Sequence, residues 1–243
     1  MIDDAGSKKT LAIGIMGGMG PQATVHFFSE LVRLTDAKTD QDHLQILINN
    51  NPQIPNRHLA ISGKAPSVGP DLAEMARGLE ESGADFVVLV CNTAHAFQAD
   101  IEAALSIPFV SIIDEVVKEI REVQPGTRRV GVMAAEGCLE AGLYQNALKS
   151  YGLEPVLWDD DQLSRFMTLV FEIKAGKTGE KEELEMMDLA RALEARGAEL
   201  LISGCTEIPL VLDADKVSLP LLSSSDLLIR NTIAYATGQR PLP

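Results

Sequence analysis

The chain has 243 residues, 46% hydrophobic and 23% charged, a balance that excludes disorder, collagen-like repeats and a disulfide-built miniature. Against 21 Lys+Arg stand 35 Asp+Glu, a formal charge of −14. So acidic a surface repels nucleic-acid phosphates and anionic lipid, so neither nucleic acid nor membrane is expected as a partner, and any anionic ligand has to be met by local positive groups. Cys91, Cys138 and Cys205 are too few and too scattered for a disulfide framework or a CxxC metal site. The N-terminal Met1-Ile2-Asp3-Asp4-Ala5-Gly6-Ser7 carries acids where a secretory leader carries positive charge, and no apolar run reaches about 18 residues. A soluble, reduced, cytoplasmic protein is the expectation.

Short apolar runs alternate with amphipathic stretches, the rhythm of β-α units. A buried strand over 11–16 ends in Gly17-Gly18-Met19-Gly20, and Pro21 opens a helix to about Leu34. A second strand covers 44–49, and the Pro-, Asn- and Gly-rich stretch 50–69 reads as a long loop of functional type. Leu72, Met75, Ala76 and Leu79 fall at helical spacing over 71–82; 85–90 is a fully buried strand. A helix over 93–105, a short strand at Phe109 and a helix over 114–123 complete a first series, closed by Pro125-Gly126. The second series has strands over 129–134, 154–157, 199–203 and 217–222. Its helices cover 141–151, 162–175, 181–196 and 226–236.

The second series repeats the first. Ala76-Arg77-Gly78-Leu79-Glu80-Glu81-Ser82-Gly83-Ala84-Asp85 aligns with Ala190-Arg191-Ala192-Leu193-Glu194-Ala195-Arg196-Gly197-Ala198-Glu199, and the same offset carries Cys91 onto Cys205 without a gap. Ile13-Gly14-Ile15-Met16 likewise matches Val130-Gly131-Val132-Met133. A duplicated α/β module predicts two pseudo-symmetric domains, each a parallel sheet flanked by helices, with ligands bound beyond the carboxyl ends of the strands. The expected division is 1–115 and 116–223, with the terminal segment 224–243 packing back on the first domain.

Each of the paired cysteines follows a buried strand and precedes residues that can begin a helix, where unsatisfied N–H groups favour thiolate. A lone cysteine is commonly a small buried hydrophobe; two at equivalent places in facing modules could work on opposite sides of one ligand. One thiolate could then remove a proton from carbon while the other thiol delivers one to the opposite face, inverting a stereocentre with no strict need for metal or pyridoxal phosphate. The competing signal is Gly18-x-Gly20-x-x-Ala23, which fits the dinucleotide fingerprint, but the second strand ends Ile48-Asn49-Asn50-Asn51 without the ribose-binding acid. Such a loop can equally hold a carboxylate or simply make a tight turn. Cys138 has no partner in the repeat and is expected to pack, as is His95, whose equivalent is Pro209. His26, His43 and His58 show no metal-ligand spacing, and the acidic run 180–185 reads as a solvated helix face.

Gly17-Gly18-Met19-Gly20-Pro21-Gln22-Ala23-Thr24, Cys91-Asn92-Thr93-Ala94-His95 and Gly204-Cys205-Thr206-Glu207-Ile208 together resemble the aspartate/glutamate racemase family, in particular its aspartate racemase branch. The resemblance implies a cofactor-independent amino-acid racemase with no metal, a homodimer, and Cys91 and Cys205 as the acid/base pair. It further implies that Met19, Gln22, Asn92, Thr93, Ala94, Thr206 and Glu207 contact an amino-acid or dicarboxylate substrate. Ile54-Pro55-Asn56-Arg57 is similar to the family's substrate-gripping segment and Ile173-Lys174-Ala175-Gly176 to the one that supplies a lysine; Asn56, Arg57 and Lys174 are therefore expected at the site, the bland alternative for the two cations being solvated surface charge. The chain departs from the family pattern at Ala135, Glu136 and Cys138, at Trp158-Asp159 and at Ser223-Ser224-Ser225. Two other readings stay open: an isomerase or decarboxylase of a related dicarboxylate, and a non-catalytic binder of an acidic metabolite.

Overall fold

Glycine decides how closely strand and helix approach in each half. A Cβ on Gly14 would lie 3.0 Å from Ala84 Cβ, 3.2 Å from Leu79 Cβ and 3.2 Å from Val87 Cγ2. One on Gly131 would meet the equivalent trio, Ala198 Cβ at 3.1 Å, Leu193 Cβ at 3.2 Å and Leu201 Cδ2 at 2.6 Å. The repeat thus reaches the packing of individual side chains. It reaches the hydrogen bonds too: Asp85 accepts from the Ala12 N–H at 2.7 Å, and Glu199 accepts from Arg128 and Arg129 at 2.7 and 3.1 Å.

The computed structural model describes residues 10–243; the acidic segment 1–7 and the rest of the first nine residues lie outside it. Strands β1 (Ile13–Gly17), β2 (Ile46–Asn50), β3 (Phe86–Leu89) and β4 (Phe109–Val110) form one parallel sheet in the order β2-β1-β3-β4. Strands β5 (Arg129–Ala134), β6 (Glu154–Val156), β7 (Leu200–Gly204) and β8 (Leu221–Ser223) form a second in the order β6-β5-β7-β8. In each sheet the chain reverses direction beside its first strand, so the crevice for a ligand opens at the ends of β1 and β3 and of β5 and β7. The fold is α/β, two four-stranded parallel sheets flanked by helices, as the alternation of the sequence implies.

Helices α1 (Pro21–Leu34), α2 (Arg57–Ile61), α3 (Gly69–Glu81), α4 (Gln98–Ala103) and α5 (Ile112–Val123) accompany the first sheet; α6 (Glu136–Glu140), α7 (Leu143–Ser150), α8 (Asp160–Lys174), α9 (Glu180–Ala195) and α10 (Ser224–Ala236) follow. Strand alternation sorts the apolar residues. Ile13, Ile15, Phe86 and Val88 join Val130, Val132, Leu200 and Ile202 in one core shared by both sheets with α5, α7 and α10. Met16, Val87, Leu89 and Cys91 face a second core under α3, and Met133, Leu201 and Cys205 face a third under α8 and α9.

Several elements differ from the sequence reading. The expected loop 50–69 contains α2, capped by Asn56 Oδ1, which accepts from the His58 and Leu59 N–H groups. The helix expected over 141–151 is α7, which starts at Leu143 after Gly142 at φ +67, and the short α6 before it was not expected. The helix expected over 93–105 is a 3-10 turn (Thr93–Phe97) followed by the short α4. Glu182, in the acidic run, is buried and accepts from the Gly179 N–H at the start of α9; the run is a helix cap as well as a solvated face. No helix of the described residues is long and apolar enough to cross a membrane.

Helix α10 lies against α1 and α5, and the Leu11 N–H donates to Ala236 O at 2.9 Å. Glu115 of α5, 2% exposed, accepts from Asn231 and from Tyr235 Oη (2.9 Å), with Lys118 and Arg240 each 3.7 Å away. Glu115→Ala strips these groups of their shared acceptor and is expected to cost about 3 kcal/mol. Urea denaturation should show a lowered midpoint at unchanged slope; an unchanged midpoint would show that Glu115 does not hold α10 in place.

Candidate active site

Cys91 and Cys205 end equivalent strands on the outer faces of the two sheets, and both line a single cavity of about 330 Å³ between the modules. They are 6% and 7% exposed. Eight of the other residues expected at the site share its wall: Met19, Asn56, Arg57, Asn92, Thr93, Lys174, Thr206 and Glu207. Gln22 and Ala94 do not. Gln22 is solvent-facing in the first turn of α1, and Ala94 is fully buried in the core under α3. A larger cavity of about 490 Å³ lies between α1 and the start of α10, beside Arg33 and Arg230, and contains neither cysteine.

The glycine loop after β1 is explained by close packing. A Cβ on Gly18, at φ +96, would fall 2.4 Å from the Asn51 carbonyl carbon, and Thr24 Oγ1 accepts from the Gly18 N–H at 2.9 Å. This brings Met19 into the cavity and Gly20 against Glu207, whose Oε1 would be 3.4 Å from an added Cβ.

Neither cysteine caps a regular helix. A 3-10 turn (Thr93–Phe97) follows Cys91, and Pro209 limits the chain after Cys205 to another, Ile208–Leu210. The helix-dipole contribution expected from sequence is therefore slight, and side chains tune the second thiol instead. Cys205 Sγ donates to Glu207 Oε2 at 3.0 Å, Thr206 Oγ1 donates to the same oxygen at 3.3 Å, and Lys174 Nζ lies 3.4 Å from Oε1. Burial, then the adjacent Glu207 charge, pushes the Cys205 thiol well above its ordinary value, with Lys174 pulling the other way. At Lys174 burial works against the charge, but Glu207 and the two thiols outweigh it and hold the ammonium above the usual lysine range. The repeat places Thr93 where Glu207 would be, so the two thiols have different surroundings.

The Asn92 amide is taken up by the protein. Its Oδ1 accepts from Tyr144 Oη at 2.6 Å and its Nδ2 donates to Ser224 Oγ at 3.2 Å, tying the turn after Cys91 to α7 and α10. Only what remains of Asn92 on the cavity side is available to a ligand. Cys138 is fully buried in the shared core, where burial raises its thiol.

Part of the wall escaped the sequence reading. Met167, Val170 and Phe171 share a face of α8 with Lys174 at helical spacing, a signal readable once Lys174 was placed. Ala135, Glu136 and Gly137 occupy, after β5, the place the glycine loop holds after β1. His58 follows Arg57 and faces α6, with Nε2 3.4 Å from Glu136 and Nδ1 3.3 Å from Glu140.

Residues 16–232 match the Asp/Glu/hydantoin racemase family. The chain belongs to this family. It is 30% identical to the broad specificity amino-acid racemase RacX of Bacillus subtilis over 228 residues, 91% of this chain and 96% of the relative. The aspartate racemase of Picrophilus torridus superposes with a TM-score of 0.79 at 25% identity, covering 96% of each chain. A glutamate racemase isoform of Bacillus anthracis shares the fold, with a TM-score of 0.69 at 18% identity over 96% of this chain and 84% of its own.

His95 lies beside the site without entering it. Its Nδ1 is 2.9 Å from Cys91 O and its Nε2 accepts from the Ile112 N–H at 3.2 Å, an arrangement that fixes the neutral Nδ1–H tautomer. Burial, the largest influence, lowers its pKa from 6.5 to about 4. The unfolded chain therefore binds the extra proton first on acidification: His95's contribution to stability is complete above pH 6.5 and is lost as pH falls towards 4, by roughly 3 kcal/mol. Denaturation of the natural chain and His95→Gln across this window should show the natural chain losing more stability. Parallel losses would mean that His95 titrates freely when folded.

Proposed function

We propose that the protein interconverts the enantiomers of an α-amino acid, with Cys91 and Cys205 exchanging protons at Cα from opposite faces and without pyridoxal phosphate. The observation that carries this reading is the presence of both cysteines, at pseudo-equivalent strand ends, in the wall of one cavity of ligand size. Family membership supports the reaction class.

In the proposed reaction a Cys91 thiolate takes the Cα proton of one enantiomer. The electron pair left on carbon is delocalised into the α-carboxylate, and Cys205 S–H delivers its proton to the other face. The products are the mirror-image amino acid, a Cys91 thiol and a Cys205 thiolate; the reverse direction exchanges the roles. The hydrogen bond to Glu207 holds the Cys205 proton ready in the resting state, and Lys174 offsets the negative charge that accumulates when it leaves. Arg57, whose Nη1 donates to Ile54 O and Pro55 O, is the proposed anchor for a substrate carboxylate, with its remaining N–H groups available.

Aspartate, with glutamate second, is the substrate pair implied by the sequence resemblance, while the Bacillus subtilis relative's broad specificity supports a reading at the level of amino acids generally. A homodimer is part of the same proposal, and sedimentation should give twice the chain mass. Cys91→Ala and Cys205→Ala should each lower the rate of inversion by at least about a hundredfold while leaving the circular dichroism unchanged. Inversion at the natural rate in both variants would refute the two-thiol reaction.

A further inference from the structure

The charges in the cavity wall restrict which amino acids it can hold. Two cations other than histidine line it, Arg57 and Lys174. Lys174 already faces a carboxylate that is itself 4% exposed, Glu207 at 3.4 Å. The Lys174 side chain is 34% exposed, but its charge is offset by Glu207, which weakens its attraction for a second anion. Among the described residues Arg57 makes no ion pair, so it is the one cation left for a ligand carboxylate, and every α-amino acid brings one. A side-chain carboxylate would need a second free cation. His58 is the remaining candidate, but it faces Glu136 and Glu140 at 3.4 and 3.3 Å. Glu136 lines the cavity as well and sets a negative charge at its rim.

Apart from Asn56, Asn92, Thr93 and Thr206, the uncharged part of the wall is largely apolar. Met19 and Val170 are each 2% exposed and present apolar surface, as do Met167 and Ala135. Phe171 is 58% exposed although it lies against the cavity. An aromatic ring left open beside thioether groups gains by covering with apolar ligand surface. The turn after β5 offers no hydroxyl there, since it reads Ala135-Glu136-Gly137-Cys138 and Cys138 is fully buried.

From these observations we propose that the cavity selects amino acids with one carboxylate and an extended, uncharged apolar side chain, of the kind methionine carries, over aspartate and glutamate. The α-carboxylate sits on Arg57, Cα lies between the thiols, and the side chain runs along the Met167–Phe171 face of α8. A dicarboxylate would bury its second charge against methionine and phenylalanine with Glu136 nearby, which is unfavourable. This inference rests on the racemase reading above and names its substrate class.

The test is Cα proton exchange of L-methionine, L-leucine, L-alanine, L-aspartate and L-glutamate in deuterated water, followed by loss of the Cα signal in the proton NMR spectrum. The expected kcat/KM for methionine exceeds that for either acidic amino acid by at least about tenfold. Aspartate or glutamate equal to or better than methionine overturns the substrate class while leaving the racemase reading intact. Exchange of none of the five overturns both. Phe171→Ala tests the wall directly: its ring is largely in solvent, so the fold survives its removal, and methionine exchange should fall several-fold more than alanine exchange. An unchanged methionine-to-alanine ratio would place the side chain elsewhere and defeat the inference.

Discussion

Strand alternation is the constraint on which the rest of this molecule depends. In β3 and β7 every second residue is committed to the core shared by both sheets, so the residues between them must face outward. Cys91 and Cys205 inherit that outward parity, two residues beyond Leu89 and four beyond Leu201. A one-residue slip in either strand would turn its thiol into the shared core, where Cys138 already lies. The position of the two cavity thiols is thus set by the burial of valines, leucines, isoleucines and a phenylalanine that lie outside the cavity.

The halves are alike in framework and unlike in charge. Glycines, acidic caps and strand order repeat, whereas Glu207 and Lys174 accompany only Cys205, and Thr93 takes the corresponding place beside Cys91. A reaction that moves a proton between opposite faces needs one group loaded and the other empty at each start. Surroundings that keep the Cys205 proton in place provide such a difference in the resting protein, which two identical thiol sites would lack. The surface of the chain is strongly acidic, but the cavity holds its cations in a local balance, one paired with Glu207 and one open.

Much of this was legible in the sequence because it follows from periodicity and repetition. The offset that joins Ala76–Asp85 to Ala190–Glu199 predicted the equivalence of the two cysteines, and the βα rhythm predicted two parallel sheets. What was not legible depends on where side chains end. Asn92 reads as a ligand-binding residue in its motif, yet Tyr144 and Ser224, 52 and 132 positions away, occupy its amide. The α8 face of Met167 and Phe171 looks like ordinary helix patterning until the cavity beside it is known. Gln22 lies in a motif that surrounds the site but points to solvent, because α1 buries the stripe of Ala23, Thr24, Phe27 and Leu31 and leaves Pro21 and Gln22 off it.

The central claim is that two different groups handle the proton on the two faces of Cα. It is tested most directly by converting a single enantiomer of a turned-over amino acid in deuterated water and analysing product and unreacted substrate at early times. The account predicts that essentially every product molecule carries solvent deuterium at Cα while the remaining substrate keeps its hydrogen. Product that retains the hydrogen of the starting enantiomer would show one group serving both faces, and would contradict it.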